Sequence, residues 1–561
     1  MKTSILQKPT LGIPFLLGLL LVCITTKAQN TSYNSNSTPI NGSFCTAFGV
    51  GALSSNTTGS SNTANGYQSL YSNTTGNYNT ANGYGSLYFN TTGNYNAANG
   101  YGSLCFNTTG EANTANGFRS LYNNTTGSFN TANGYYSLYT NTTGNYNTAN
   151  GNYSLYSNTT GSENTANGYY SLYSNTTGSF NTANGYYSLY SNTTGVYNTA
   201  NGYRSLYYNT TGEANTANGQ NSLYYNTTGF QNTANGTQSL YSNTTGFQNT
   251  ANGYQSLYSN TIGNFNTANG SQSLYSNTTG SLNTAIGIES LYYNTTGGSN
   301  TAIGQESLYY NTTGNLNTAI GSASLYSNIT GYSNTAIGIV SLYSNTTGNN
   351  NTSNGNYALG GNTTGNYNTA NGSFALLGNT TGSYNVAIGN SAGSNSLGSN
   401  NVFIGSSSGY SETGSNKLYI SNAGNNAIIY GDFATHQLLL GVPDATGYVF
   451  KGSRTLNVMG GILTDSVRVA LSSEWADYVF DENYKLKPLN ELEQFIIANK
   501  HLPNIPKAAE VKEKGINLAE INVKLLEKTE ELTLYIIQQN KRLEEQQKQI
   551  DELRKMILNK K

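Results

Sequence analysis

The octet Ser171-Leu172-Tyr173-Ser174-Asn175-Thr176-Thr177-Gly178 recurs unchanged at Ser188–Gly195, seventeen residues later. Extended in both directions it becomes Asn-Thr-Ala-Asn-Gly-Tyr-x-Ser-Leu-Tyr-x-Asn-Thr-Thr-Gly-x-x. This template runs unbroken from Cys45-Thr46-Ala47-Phe48-Gly49 to Asn385-Val386-Ala387-Ile388-Gly389, giving 21 units. A short fixed period marks a solenoid, in which each unit touches only its neighbours. Two glycines, an Asn-Gly turn and several threonines in each unit argue against helix. The template therefore predicts an all-β repeat solenoid over residues 45–389, a parallel β-roll of 17-residue coils.

Reading down the columns shows what each position must do. Leu fills one column in 20 successive units, Leu53 to Leu376, and is expected to face the interior. Glycine fills two columns, one after Asn (Gly66, Gly83 and on to Gly389) and one after Asn-Thr-Thr (Gly59 to Gly382). Each predicts a corner where φ is positive or another chain passes closely, so the expected coil has two corners and two short strands. The column before the repeated Ser mixes Gln68, Gly85, Arg119, Tyr136, Arg204, Glu289 and Glu306. It is expected to face solvent, because Glu289 over Glu306 would be unfavourable if buried.

The position after Ala is Asn in 13 successive units from Asn65 to Asn269, Ile at Ile286, Ile303, Ile320 and Ile337, then Asn354, Asn371 and Ile388. A column that accepts Ile is expected to be partly buried, where a lone Asn would leave its amide unpaired. Asparagines stacked in register about 4.8 Å apart bond amide to amide along the axis. A second ladder of this kind is expected at Asn73 and its equivalents. The interior is then thin: Leu, Ala and in places Ile, set against an ordering entropy of roughly 1–2 kcal/mol per residue. Association between chains would add apolar burial. The column after Leu, Tyr in 16 units from Tyr71 to Tyr343, is either the seam between chains or an exposed aromatic stripe.

Charge divides the chain into two materials. Of its 49 charged residues, 31 lie in residues 471–561, while residues 30–410 hold only Glu111, Arg119, Glu163, Arg204, Glu213, Glu289 and Glu306. So sparse a surface offers nucleic acid no electrostatic footprint. The first 28 residues read as a secretory signal: Lys2 and Lys8 precede the apolar run Leu11–Val22, and Thr26-Lys27-Ala28 suits cleavage. The large Val22 before Cys23 does not suit a lipoprotein site. No later segment could span a bilayer as a helix, so no transmembrane anchor is expected once the signal is removed. Cys45 and Cys105 are too few for a disulfide framework and stand where other units carry Asn and Tyr. The Asn-Thr-Thr triplets match the N-glycosylation pattern, but turns and ladders already explain their period.

Residues 29–44 read as a linker. Short alternating runs between glycines, such as Asn416–Ile420 and Ile428–Phe433, predict a β-rich neck over 390–470. Residues 471–514 read as a short α/loop module. From 515 to 561 the apolar positions Leu518, Leu525, Leu532, Ile536, Leu543, Ile550, Leu553 and Ile557 form a heptad seam interrupted by Asn522, Thr529, Gln539 and Gln546, as in a parallel coiled coil. The heptads do not fix the strand number.

The repeated Asn-Thr-Ala-Ile-Gly of Asn283–Gly287 and Asn300–Gly304, with Asn385–Gly389, resembles the head repeats of trimeric autotransporter adhesins, and the order head, neck, stalk is similar. That resemblance implies a homotrimer and binding to a host surface or matrix. It departs in its period of 17 and in ending at Lys560-Lys561 without a membrane β-barrel. The stretch from Ser473-Glu474-Trp475-Ala476-Asp477 to His501-Leu502-Pro503-Asn504-Ile505-Pro506 is similar to the C-terminal module of exported tail-fibre-like bacterial proteins. Related self-cleaving modules use a Ser near their start, but the surroundings of Ser472 and Ser473 do not match.

The function expected from these residues is a non-catalytic, secreted or surface-displayed fibrous adhesin, exported and associated with the outer membrane. It would bind surfaces or glycans through repeated Tyr, Asn and Thr faces. A tail-fibre-like spacer or receptor-binding fibre is one alternative; a threonine array for ice, built on Thr74-Thr75 and its equivalents, is another. Tyr67, Tyr84 and Tyr169 offer aromatic platforms for sugar rings. No catalytic, cofactor-binding or metal-binding residues are expected: the repeats contain no Asp, and His436 and His501 fall in different regions and suit packing or capping. The ligand is not fixed by the sequence.

Overall fold

The computed structural model describes residues 31–33, 41–441, 444–445, 448–450, 452–469 and 475–560. The signal segment, most of the linker, Ser472 and Ser473 lie outside them. The chain divides into two compact units, one up to Gly460 and one from Gly461 onward.

The first unit is a parallel β-solenoid with one coil per 17-residue repeat. Each coil contributes a three-residue strand, such as Thr182–Asn184, paired in parallel with its copies at Thr165–Asn167 and Thr199–Asn201. Every residue faces its own equivalent: Thr over Thr, Ala over Ala, Asn over Asn. Thr31–Tyr33 adds a rung before the first full coil. The parallel ladder also runs on past Gly389 through Val402–Ile404 and Lys417–Ile420. Ile429–Asp432 and Gln437–Leu440 then fold back antiparallel.

The expectation of two strands per coil is corrected to one. In the coil Asn181–Tyr197, Tyr187 (φ 58°), Leu189 (φ 49°) and Tyr197 (φ 58°) all lie in the left-handed region, and such residues interrupt extended backbone. Left-handed geometry costs a non-glycine residue about 1–2 kcal/mol. Coil-to-coil backbone bonds offset it: Leu189 N–H donates to Ser205 O at 2.9 Å, Ser191 N–H to Tyr207 O at 3.0 Å and Tyr187 N–H to Tyr169 O at 3.0 Å. The two glycine columns differ in kind. Gly185 has φ 136°, and a Cβ there would stand 2.6 Å from Gly202 O; Gly195 lies outside the left-handed region, but its Cβ would stand 2.4 Å from Asn192 Oδ1.

The interior is mostly polar by count. In that same coil the fully buried side chains are Asn181, Ala183, Ser188, Leu189 and Asn192. Ile does not join them: Ile286, Ile303, Ile320, Ile337 and Ile388 are 37–44% exposed on the outer side of the strand, while Asn82, Asn184 and most of their equivalents in that column are partly buried. Outward placement follows from the strand's alternation, because the Ala between Thr and Asn or Ile points inward.

Both expected asparagine ladders are present. Outside, Asn82 donates to Asn99 Oδ1 at 2.7 Å, and the chain of amides runs on to Asn252. Inside, Asn192 Nδ2 donates to Asn175 Oδ1 (2.8 Å) and to Gly195 O (3.0 Å), while its own Oδ1 accepts from Asn209 (2.8 Å). A third ladder, not anticipated, runs through the first Asn of the template. Asn181 Nδ2 donates to Gly195 O at 2.8 Å, and Asn164 Oδ1 accepts the Asn181 backbone N–H at 3.0 Å. Ser188 Oγ completes the set by donating to Gly185 O at 3.1 Å.

Two changes of core composition come as compensating exchanges. Ser353 replaces the inward Ala, and its hydroxyl lies 2.7 Å from Ser341 Oγ and donates to Ala358 O; Ala358 in turn stands where other coils have Ser. Farther on, the Ala column becomes Phe403 and Tyr419, both fully buried. In the Leu column the chain has Gly393 (φ 58°) and Gly409 (φ 60°), where a Cβ would stand 2.5 and 2.2 Å from the Phe403 ring. The left-handed turn is kept and the volume moves across the core.

The second unit holds a 3₁₀ turn (Ala476–Phe480) and helices α1 (Leu489–Asn499), α2 (Ala508–Lys514) and α3 (Leu518–Leu558). Asn517 caps α3 by accepting from Ala519 and Glu520 N–H. Glu527, 6% exposed, ties the unit together: it accepts from Tyr478 Oη (2.9 Å), Asn504 Nδ2 (3.2 Å) and Lys528 Nζ (2.8 Å). Tyr484 donates to Glu531 beside it.

Asn192→Ala would strand Asn175 Oδ1 in the dry interior, at about 1–3 kcal/mol, and leave Gly195 O with only Asn181 Nδ2 and Asn209 Nδ2 with only Gly212 O. Hydrogen exchange over residues 171–212 is expected to rise by about tenfold or more, while coils near residue 300 keep their protection.

Candidate functional site

The solenoid presents ranks of identical side chains, and the most continuous is aromatic. The Tyr column after Leu stacks without interruption from Tyr122 to Tyr343, with ring centroids 5.0–5.4 Å apart and interplanar angles of 2–20°. Parallel register sets this spacing, since each ring sits one coil from its copy. These rings are half-buried.

Beside the ladder runs the column before Ser. Expected to face solvent, it is half-buried in most coils and exposed at Tyr357 and Phe374, with its two arginines lying against neighbouring rings. Arg119 lies 5.3–5.9 Å from the Phe118, Tyr122 and Tyr136 rings and donates to Tyr136 Oη at 3.2 Å. Arg204 lies over Tyr203 at 5.0 Å and Tyr207 at 5.8 Å. The proposed platforms Tyr67, Tyr84 and Tyr169 are exposed, but Tyr67 stacks on Tyr84 at 4.9 Å and Tyr169 on Tyr186 at 5.2 Å. Stacking covers both faces of Tyr84, which also stacks on Tyr101, but only one face of Tyr67 and of Tyr169, whose neighbours in the preceding coil are Val50 and Asn152.

The Thr-Thr corner offers less free chemistry than its sequence suggests. Thr193 Oγ1 donates to Thr210 O at 3.1 Å, and its equivalents do the same along the stack, so the first threonine hydroxyl is engaged in the backbone. The second, Thr194, is exposed. A flatter rank lies on the strand itself, where Thr182 and Asn184 share the outward face in register with every neighbour.

Reading by columns could have found one further feature. The position after the Tyr ladder is small in most coils, with aromatics only in adjacent pairs: Phe89 with Phe106, Tyr208 with Tyr225 and Tyr293 with Tyr310. The pairs are stacked at 4.9, 5.4 and 5.3 Å. Shallow troughs lie along the two Tyr pairs, of about 410 Å³ at Tyr208/Tyr225 and about 480 Å³ at Tyr293/Tyr310.

Cys45 is buried, and the Cys105 thiol, in a gap of the Tyr ladder, is pushed up to about 11 by burial. His501 packs edge-on to Phe495 at 5.6 Å with Nδ1 2.8 Å from Leu502 O, and His436 takes a left-handed turn (φ 58°). Among the described residues no three His, Cys, Asp or Glu side chains gather into a metal-holding group, and no helix is long and apolar enough to cross a membrane. In the second unit the heptad positions of α3 are 47–65% exposed, and Leu525 and Leu532 line a hollow of about 280 Å³ with Leu492, Leu502 and Pro503. No known protein family and no curated protein matches the chain.

Burial, reinforced by neighbouring phenols, raises Tyr241 and Tyr326 to about 12, and burial with a hydrogen bond to Tyr169 does the same for Tyr170. Phenols held above their unfolded value of about 10 favour the folded state fully below pH 10 and lose that contribution as pH rises toward 12. Absorbance at 295 nm is expected to show a subset of tyrosines titrating late, with circular dichroism lost in the same interval; simple titration of all tyrosines near pH 10 in a folded chain would contradict this.

Proposed function

We propose that the chain is an exported fibrous adhesin whose solenoid binds extracellular surfaces or glycans through repeated aromatic and hydroxyl ranks. The observation that carries the reading is the unbroken tyrosine ladder from Tyr122 to Tyr343 with exposed aromatic columns beside it. A soluble monomer rarely exposes contiguous aromatic surface on this scale without a binding role. A repeated face also multiplies weak contacts into avidity.

The parent assembly in this reading is a homotrimer joined through α3. Its support is the heptad seam, where Leu518, Leu525, Leu532, Ile536, Leu543, Ile550, Leu553 and Ile557 stay exposed in the single chain. The head resembles trimeric adhesin heads and the C-terminal module resembles tail-fibre proteins. A structural spacer would share this architecture but need no adhesive face. Ice binding is the second reading, favoured by the strand face, where Thr182 and its equivalents carry hydroxyls outward in register. It moves from the Thr74-Thr75 corner to the strand, because Thr74 Oγ1 is spent on Thr91 O.

The full chain is expected to sediment as a trimer and a chain lacking residues 515–561 as a monomer. Beads coated with the full chain should adhere to glycan-bearing surfaces and show no thermal hysteresis in supercooled buffer. Sedimentation as a monomer with and without those residues would remove the trimer; hysteresis without adhesion would replace the adhesin by the ice reading.

A further inference from the structure

The paired aromatics beside the tyrosine ladder form two copies of one arrangement. Along that column the residues run Ser191, Tyr208, Tyr225, Ser242 and again Ser276, Tyr293, Tyr310, Ser327, offset by 85 residues, or five coils. Six aromatics occur among the twenty positions from Ser55 to Gly378, always in adjacent pairs and never singly. A lone ring here would still find edge contacts on the ladder, as Tyr225 does with Tyr224 at 4.8 Å and Tyr241 at 5.2 Å. Packing on the ladder therefore does not by itself require pairs.

Within each pair one face of each ring is covered by its partner, at an interplanar angle of 2°. No ring stacks on the other face, because the next coil in either direction carries serine; Tyr241 and Tyr326 meet Tyr225 and Tyr310 only in T-shaped contacts. The rings are 40–43% exposed. Each serine thus leaves a vacant rung, one coil or about 4.8 Å thick, against an open tyrosine face. Among the described residues the half-buried hydroxyls of Ser191 and Ser242 have no hydrogen-bond partner and are open to donate or accept. Thr227 and Thr244 line the same trough; Thr227 has already spent its hydroxyl hydrogen on Thr244 O, so it can only accept.

A ring with an apolar face and hydroxyls at its rim fits such a rung, since C–H groups stack on tyrosine while the rim meets serine and threonine oxygens. Charge narrows the class. The ladder tyrosines beside the first trough have Arg204 near them, whereas those beside the second have Glu289 and Glu306. A ligand taken by both copies gains nothing consistent from a charge of either sign.

We propose that Tyr208/Tyr225 and Tyr293/Tyr310 are paired binding sites for pyranose rings of a neutral polysaccharide. The assignment rests on the adhesive reading and names its ligand class. Five coils at about 4.8 Å place the sites about 24 Å apart on one face, so a single polymer chain spans both and gains avidity that a short oligosaccharide does not.

The test uses the full chain and the reversion of each pair to serine, the residue most other coils carry there, so the coil is not asked to fold around a foreign side chain. The probes are hydroxyethyl cellulose and galactomannan as neutral polymers, with dextran sulfate and chitosan as charged ones. The Y208S/Y225S chain is expected to bind at least one neutral polymer about tenfold more weakly than the unaltered chain, and the chain with all four changes to lose that binding. The exposed control Tyr78→Ser/Tyr95→Ser should change nothing.

Equal neutral-polymer binding by the fourfold variant would overturn the assignment, as would a preference of the unaltered chain for either charged polymer. If the unaltered chain adheres to surfaces but takes up neither neutral polymer, the site falls and the adhesive reading stands. If it adheres to nothing, both fall.

Discussion

The solenoid depends on the buried carboxamide of asparagine. A 17-residue coil has room inside for one leucine and one alanine, far too little apolar surface to order itself by the hydrophobic effect alone. Two internal asparagines per coil supply what is missing. Asn181 and Asn192 both direct Nδ2 onto Gly195 O in the coil's own corner. At the same time they connect to the coils on either side, so each amide specifies local shape and axial register together. A buried amide without partners would be destabilising by about 1–3 kcal/mol, so the interior tolerates neither a missing rung nor a slipped one.

The same constraint explains the backbone. The corners must bring Gly195 O under two amides at once, and the chain reaches that geometry through left-handed residues, among them a fully buried leucine with φ 49°. Strand structure survives only where Thr-Ala-Asn lets the backbone run straight for three residues. Elsewhere the coil is made of turns whose N–H groups bond to neighbouring coils, so sheet-like axial bonding persists where extended geometry does not.

How much could be read in advance follows from which positions vary. The period gave the solenoid, and Leu189, Asn184 and Asn192 declared their roles through invariance or patterned exchange down the column. The Asn181 column departs from Asn only at Cys45, yet an Asn ahead of Thr-Ala carries no mark of an inward amide, so the third ladder went unread. Ile at 286 and its equivalents suggested burial, although alternation around the inward Ala puts it outside. The second strand failed because φ at Leu189 is set by its neighbours in the next coil, and no residue-type preference marks a leucine as left-handed. The paired rings at 208/225 and 293/310 were legible as a column pattern; the open faces that give the pairs meaning needed the stacked geometry.

The exchange of Ala and Leu for Phe403, Tyr419 and the glycines at 393 and 409 has a bearing on how the stack stops growing. A coil made to the template would accept another identical coil at its open end indefinitely, since nothing in its rim distinguishes last from next. Filling the lumen with aromatic bulk, and then turning the chain back as an antiparallel hairpin, gives the final rim a shape that no template coil can continue. Gain or loss of whole seventeen-residue units between the two ends would therefore alter only reach, leaving the stopper intact and making fibre length a property that heredity can adjust in discrete steps.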